Sequence, residues 1–110
     1  MGLEIAFRSK ELRTTCESPT RARRELGGKA SLALQRHLAD MDAVETVAEL
    51  IAMGLGTENC AQKHGMLRFH LSEGLYLYCE VNHHNVPMNG ETVDWAQVTR
   101  LKVARIGSDQ

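Results

Sequence analysis

A chain of 110 residues has room for one hydrophobic core and is too short to divide into two. Its formal charge of -1 neither requires nor excludes a nucleic-acid partner, which needs only a local basic patch. The apolar runs are short, the N-terminus lacks a secretory signal pattern and the three cysteines are widely spaced, so we expect a cytoplasmic protein with reduced thiols and no membrane partner.

The N-terminal part of the sequence predicts one strand followed by helices. Apolar residues alternate over positions 3–7, which is the pattern of a short strand with one buried face. Ser9 and Ser18 are each placed to cap a helix through the side-chain hydroxyl, and Pro19 suits a first helical position. The glycine pair at 27–28 predicts a break before a third helix.

A third and a fourth helix follow from the apolar spacing. The core-facing stripe of the third helix consists of Ala30, Ala33, Leu34, His37, Leu38 and Met41. His37 on this stripe is expected to be a packed histidine with one hydrogen bond rather than a base. Asp42 is placed to cap a short fourth helix, with Glu45 as its capping-box partner. Residues 54–65 are polar and irregular and predict a surface loop.

The C-terminal part of the sequence predicts an antiparallel sheet. Apolar residues alternate over 66–71 and again over 75–81, and the polar residues 72–74 between them predict the turn of a hairpin. After a long excursion, Leu101 and Val103 alternate with charged residues in a final strand. We therefore expect a single α+β domain over residues 1–110, with helices packed on one face of the sheet.

The polar alternates of the last three strands should share the face that the helices leave open. This set consists of Arg68, His70, Tyr76, Tyr78, Glu80, Arg100 and Lys102. Such a mixture suits RNA, because cations hold phosphates, aromatic rings stack on bases and a histidine can move the proton of a 2′-hydroxyl. The alternative is a solvated face, in which Tyr76 and Tyr78 only make cross-strand pairs.

Other residues give weaker indications of a functional site. His83 and His84 could be imagined as metal ligands with His70 and Cys79, but adjacent strand residues point to opposite faces and a turn entrance is the favoured interpretation. The arginines at 21–24 are typical of a solvated helix face. No phosphate-binding glycine loop, nucleophile elbow or dinucleotide fingerprint is present, so we expect neither a cofactor nor a metal.

The order of elements and several local strings resemble the RelE/HigB-like toxins, the killer-protein group of bacterial type II toxin–antitoxin pairs. The strings are Arg24-Glu25-Leu26-Gly27, Leu38-Ala39-Asp40-Met41, Gly74 to Tyr78, and Val93-Asp94-Trp95-Ala96-Gln97-Val98-Thr99. The resemblance implies a RelE-like fold and a ribosome-dependent mRNA endoribonuclease that cuts without a metal. It also implies a cognate antitoxin protein as the partner.

The resemblance also assigns residues and exposes departures. Lys63 matches the family's basic position before the hairpin and Tyr76 matches its central-strand aromatic residue, but Leu77 stands where an arginine is expected. The chain ends over 106–110 without the family's tyrosine and histidine. The sequence therefore predicts an altered catalytic site of His70, Arg68, Tyr76 and Lys102, with Lys63, Tyr78, Arg100 and Arg105 binding RNA. Two alternatives stay open: a catalytically degenerate scaffold that only engages an antitoxin or other protein, and a gyrase-directed toxin.

Overall fold

The computed structural model describes residues 2–58 and 65–108 and shows an α+β fold, as the sequence predicts. Its helices are α1 (Lys10–Glu17), α2 (Pro19–Leu26), α3 (Gly28–Ala43) and α4 (Val47–Ala52). Its strands are β1 (Glu4–Phe7), β2 (Thr57–Glu58), β3 (Met66–Ser72), β4 (Leu75–Val81), β5 (Met88–Asn89), β6 (Thr92–Val93) and β7 (Arg100–Gly107). A short 3-10 turn at Trp95–Gln97 precedes β7.

The starts of α1 and α2 are fixed by the predicted serine caps. Ser9 Oγ accepts the backbone N–H of Leu12 at 3.2 Å, and Ser18 Oγ accepts that of Arg21 at 3.2 Å. Each bond satisfies one of the amide groups that a helix leaves without an internal partner. Gly27 has a φ of 91°, a conformation that ends α2 and that other residues rarely adopt.

The predicted cap of the fourth helix is wrong. Asp42 lies inside α3, which continues to Ala43, and α4 begins only after Thr46. The capping box is built by Glu49 instead: its Oε2 accepts the backbone N–H groups of Thr46 at 3.0 Å and of Glu45 at 2.6 Å. The sequence offers two similar boxes four residues apart, Asp42 with Glu45 and Thr46 with Glu49, and only the second can form because Asp42 lies within α3.

The two backbone hydrogen bonds, from Thr46 first and Glu45 second, hold the pKa of Glu49 below its ordinary value. Because the pKa of Glu49 is lower in the folded than in the unfolded protein, the ionised carboxylate stabilises the fold at pH values above the unfolded-state pKa. This stabilisation is lost as the pH falls through the folded-state pKa. We expect Glu49→Gln to lower the urea midpoint at pH 7 and to have a smaller effect at pH 3. Glu73→Gln in the β3–β4 turn is the control; equal effects of Glu49→Gln at both pH values would contradict the assignment.

The main sheet has the strand order β1-β7-β4-β3-β2. β3, β4 and β7 form the predicted antiparallel run, and β1 pairs in parallel with β7. The segment predicted as a loop over 54–65 contains β2, whose Thr57 pairs with Arg68 of β3. A strand of two residues is too short to produce a period-two pattern, so β2 has no signature in the sequence. β5 and β6 form a separate hairpin.

The core lies between the helices and one face of the sheet. The apolar alternates of β3, β4 and β7 pack there against α3, whose Leu34 and Met41 are fully buried. Burial raises the pKa of the Cys16 thiol to about 11 and also raises that of Cys79. Both thiols therefore stay protonated at neutral pH and are poor nucleophiles. None of the described helices has the length and apolar character needed to cross a membrane.

Candidate nucleic-acid interface

The side of the sheet that faces away from the helices carries most of the predicted site residues. We call it the open face; it comprises Arg68, His70, Tyr76, Tyr78, Glu80, Lys102 and Arg105. The register of the strands arranges these residues in rows across the sheet, because directly paired residues point to the same side. One row joins Arg68, Tyr78 and Arg105, and the next joins His70 and Tyr76.

Arg68, Tyr76 and His70 form a contiguous cluster on the open face. The guanidinium carbon of Arg68 lies 4.7 Å from the centroid of the Tyr76 ring. The ring of His70 lies 5.6 Å from the same centroid and meets it nearly edge-on, at 73°. His70 is exposed and the other two residues are partly exposed. A cation, an aromatic surface and an imidazole are thus available side by side, as the sequence predicts for these three residues.

The backbone of His70 is held from the helix side. His37 Nε2 donates a hydrogen bond to the carbonyl oxygen of His70 at 2.8 Å, since a carbonyl can only accept. The His37 ring also lies 5.3 Å from the ring of Phe69. The prediction that His37 is a packed histidine with one hydrogen bond is confirmed, and its effect is to anchor the strand position that carries the exposed imidazole.

Tyr78 lies on the expected face but does not have the expected exposure. Its side chain is fully buried, its hydroxyl donates to the carbonyl of Ser108 at 3.1 Å, and the guanidinium carbon of Arg105 lies 3.9 Å from its ring centroid. Arg105 Nη1 donates to the same carbonyl at 3.1 Å. The predicted role of Tyr78 in binding RNA is therefore corrected: its ring is buried beneath the guanidinium of Arg105.

A β-bulge explains how Arg105 reaches this position. Cys79 pairs with Val103 and Tyr78 pairs with Arg105, so Ala104 is an extra residue in β7. Strict alternation from Leu101 and Val103 would have turned position 105 into the core. The bulge returns Arg105 to the open face. The only sign of the bulge in the sequence is that a charged residue stands at a position where strict alternation would face the core.

Lys102 belongs to the open face but not to the cluster around His70. Lys102 pairs with Glu80, whereas His70 pairs with Tyr76, four residues earlier on β4. Lys102 is therefore two strands across and four residues along the sheet from His70, which puts their Cα atoms roughly 16 Å apart for ideal strand spacing. Arg8 Nη2 lies 2.5 Å from Glu80 Oε2 and adds a cation that the sequence analysis missed. We therefore remove Lys102 from the candidate catalytic group and place it in a second basic region of the same face.

The two remaining predicted RNA-binding residues do not join the cluster. Arg100 lies near the β1 edge of the sheet, where its Nε is 2.6 Å from Glu4 Oε2 in an exposed ion pair. Lys63 lies outside the described residues. Of the eight predicted site residues, then, the structure brings together Arg68, His70 and Tyr76 as a surface cluster.

A metal site is not assembled in the described part of the chain, where no group of three or more histidine, cysteine or acidic side chains lies close enough to hold an ion. Cys79 pairs with Leu67 and points into the core, whereas His70 pairs with Tyr76 and points to the open face. His83 Nε2 accepts the backbone N–H of Thr99 at 3.1 Å, which gives this histidine a structural contact at the start of β7.

Comparison of the chain with models of known protein families, with curated proteins and with solved structures gives no match. The structure itself shows an α+β protein with a sheet face on which Arg68, the ring of Tyr76 and the exposed imidazole of His70 lie together.

Proposed function

We propose that the chain is a RelE/HigB-like toxin that binds mRNA on the ribosome with its open face and cleaves it without a metal. The observation that carries the proposal is the cluster of Arg68, Tyr76 and His70. These residue types match the three parts of an RNA target: phosphate, base and 2′-hydroxyl. The succession of one strand, helices and three antiparallel strands agrees with the architecture that the resemblance implies.

Each residue of the cluster has a distinct role in the proposed reaction. His70 removes the proton from a 2′-hydroxyl, whose oxygen attacks the neighbouring phosphorus while the bond to the 5′-oxygen breaks. The leaving 5′-oxygen takes a proton from solvent, which leaves a cyclic phosphate on one fragment. Arg68 lies beside this position to stabilise the charge that develops on the phosphate, and Tyr76 stacks on a base.

The guanidinium beside the central-strand aromatic residue comes from a different position than the family resemblance implies. The resemblance leads us to expect an arginine directly after the aromatic residue of the central strand, where this chain has Leu77. Arg68 reaches the ring of Tyr76 from the neighbouring strand instead. An arginine and an aromatic ring are thus adjacent in space without being adjacent in sequence, which supports an altered catalytic site.

A second candidate function is a binding module of the same fold that has lost cleavage and engages a cognate antitoxin or another protein. The observation in its favour is that Tyr78 and Arg105 are committed to contacts within the protein, so part of the open face serves stability. Under this alternative the open face is a protein-binding surface.

The test is cleavage of a defined mRNA in a translating extract, with fragment ends mapped by primer extension. We expect the wild-type protein to produce translation-dependent breaks and Arg68→Ala to produce at least tenfold fewer. Arg24→Ala, which removes an exposed arginine of α2, is the matched control and should cleave like the wild type. A wild-type protein that neither cleaves mRNA nor slows growth on induction would reject the nuclease. Stable capture of a protein on the open face would then favour the binding module.

A further inference from the structure

The outer side of α3 carries an exposed apolar residue beside a groove. Leu32, in the second turn of α3, is 57% exposed. Next to it lies a groove of about 490 Å³ between α3 and the edge of β3, with an apolar floor that includes Ala33, Leu55 and Leu71. We call this surface the α3 groove. It lies on the helix side of the sheet, and its lining reaches the open face only at His70.

A second hollow lies on the other side of Leu32, between α2 and α3. Its volume is about 370 Å³, and Arg23, Ser31 and Gln35 contribute to its lining. Gln35 Nε2 is buried without a hydrogen-bond acceptor among the described residues. A buried donor left without an acceptor costs free energy, so this side of α3 is not fully satisfied by contacts within the described residues.

The charge around Leu32 is positive although the whole chain is slightly negative. Arg23, Lys29 and Arg36 surround the two hollows and are exposed, whereas Asp40 is the single carboxylate that lines them within residues 2–58 and 65–108. Among the described residues, the lining of the two hollows includes no tyrosine, tryptophan or phenylalanine ring on which a base could stack; the rings of the α3 groove are the imidazoles of His37, which is hydrogen-bonded to the His70 carbonyl, and of His70 at the sheet end. Cations around an aliphatic floor fit a peptide with both acidic and apolar side chains better than they fit RNA.

We propose that the α3 groove binds an acidic amphipathic segment of a partner protein. Apolar side chains of the segment cover Leu32 and enter the groove. Its carboxylates face Lys29 and Arg36 at the rim and Arg23 in the second hollow. This inference goes beyond the proposed function, because the groove lies on the helix side of the sheet. At its sheet end the bound segment would contact His70, so docking there would also narrow access to the imidazole.

The test uses a phage library of random 16-residue peptides selected on the wild-type protein and counter-selected on Leu32→Asp. We expect the selected peptides to be acidic with regularly spaced apolar residues. In fluorescence anisotropy, we expect their affinity to fall at least tenfold for Leu32→Asp and for Arg36→Glu. Met53→Asp, which changes a 54% exposed residue at the end of α4, is the matched control and should bind like the wild type.

Three results would overturn the inference: no peptide whose binding depends on Leu32, a selected set that is neutral or basic, or displacement of the peptides by a single-stranded RNA oligonucleotide from the Leu32 surface. The outcome is separable from that of the proposed function. Arg68→Ala, which should impair cleavage, leaves the groove intact and is expected to bind the peptides like the wild type.

Discussion

Replacing His70 by alanine is expected to lower the rate of mRNA cleavage by about 10²–10⁴-fold, the usual contribution of a general acid or base. The fold should survive, because the contact that anchors this position uses the carbonyl oxygen of His70 and not its side chain. The rate is measured in a translating extract at fixed protein concentration, and the thermal unfolding curve is recorded in parallel.

The matched control is His84→Ala, which removes an exposed imidazole from the loop after β4 and should leave the rate unchanged. A His70→Ala protein that cleaves as fast as the wild type would show that the imidazole takes no part in the reaction. In that case the role of the cluster would be reduced to binding through Arg68 and Tyr76.

Replacing Phe69 by alanine is expected to lower the free energy of unfolding by about 3–5 kcal/mol, as for other buried aromatic residues in a core. Phe69 is fully buried, its ring contacts His37, and the backbone of Gly56 comes so close that a Cβ there would meet the ring at 2.9 Å. The cavity left by alanine would therefore open beneath the strand position that carries His70. Urea unfolding at constant slope measures the loss.

Leu32→Ala is the comparison for this stability measurement. It also truncates a large apolar side chain, but at a 57% exposed position, where we expect a change within about 0.5 kcal/mol. A loss below about 1 kcal/mol for Phe69→Ala would mean that the core closes around the missing ring, which the tight approach of Gly56 argues against.

The local parts of the fold could be predicted from the sequence because neighbouring residues determine them. The caps at Ser9 and Ser18 and the break at Gly27 depend on hydrogen bonds and dihedral angles within a few residues. The faces of β3 and β4 follow from alternation alone. The start of the fourth helix cannot be predicted in this way, because two capping boxes compete and the choice between them depends on tertiary packing.

The site could be predicted only in part, because it depends on register and strand order. His70 and Tyr76 share a predicted hairpin, so their adjacency follows from the turn. The separation of Lys102 from His70, the pairing of Arg8 with Glu80 and the burial of Tyr78 arise from contacts between distant parts of the chain. The bulge at Ala104 leaves no periodic signature in the sequence.

The parallel pairing of β1 with β7 has a consequence for synthesis of the protein. β1 lies at one end of the sheet, and Ile5 pairs with Leu101, so two strands that are far apart in the sequence are neighbours in the sheet. A contact of such long sequence separation cannot form before β7 has been translated. The β1–β7 pair is therefore added to the sheet after the helices and the β3–β4 hairpin have been synthesised.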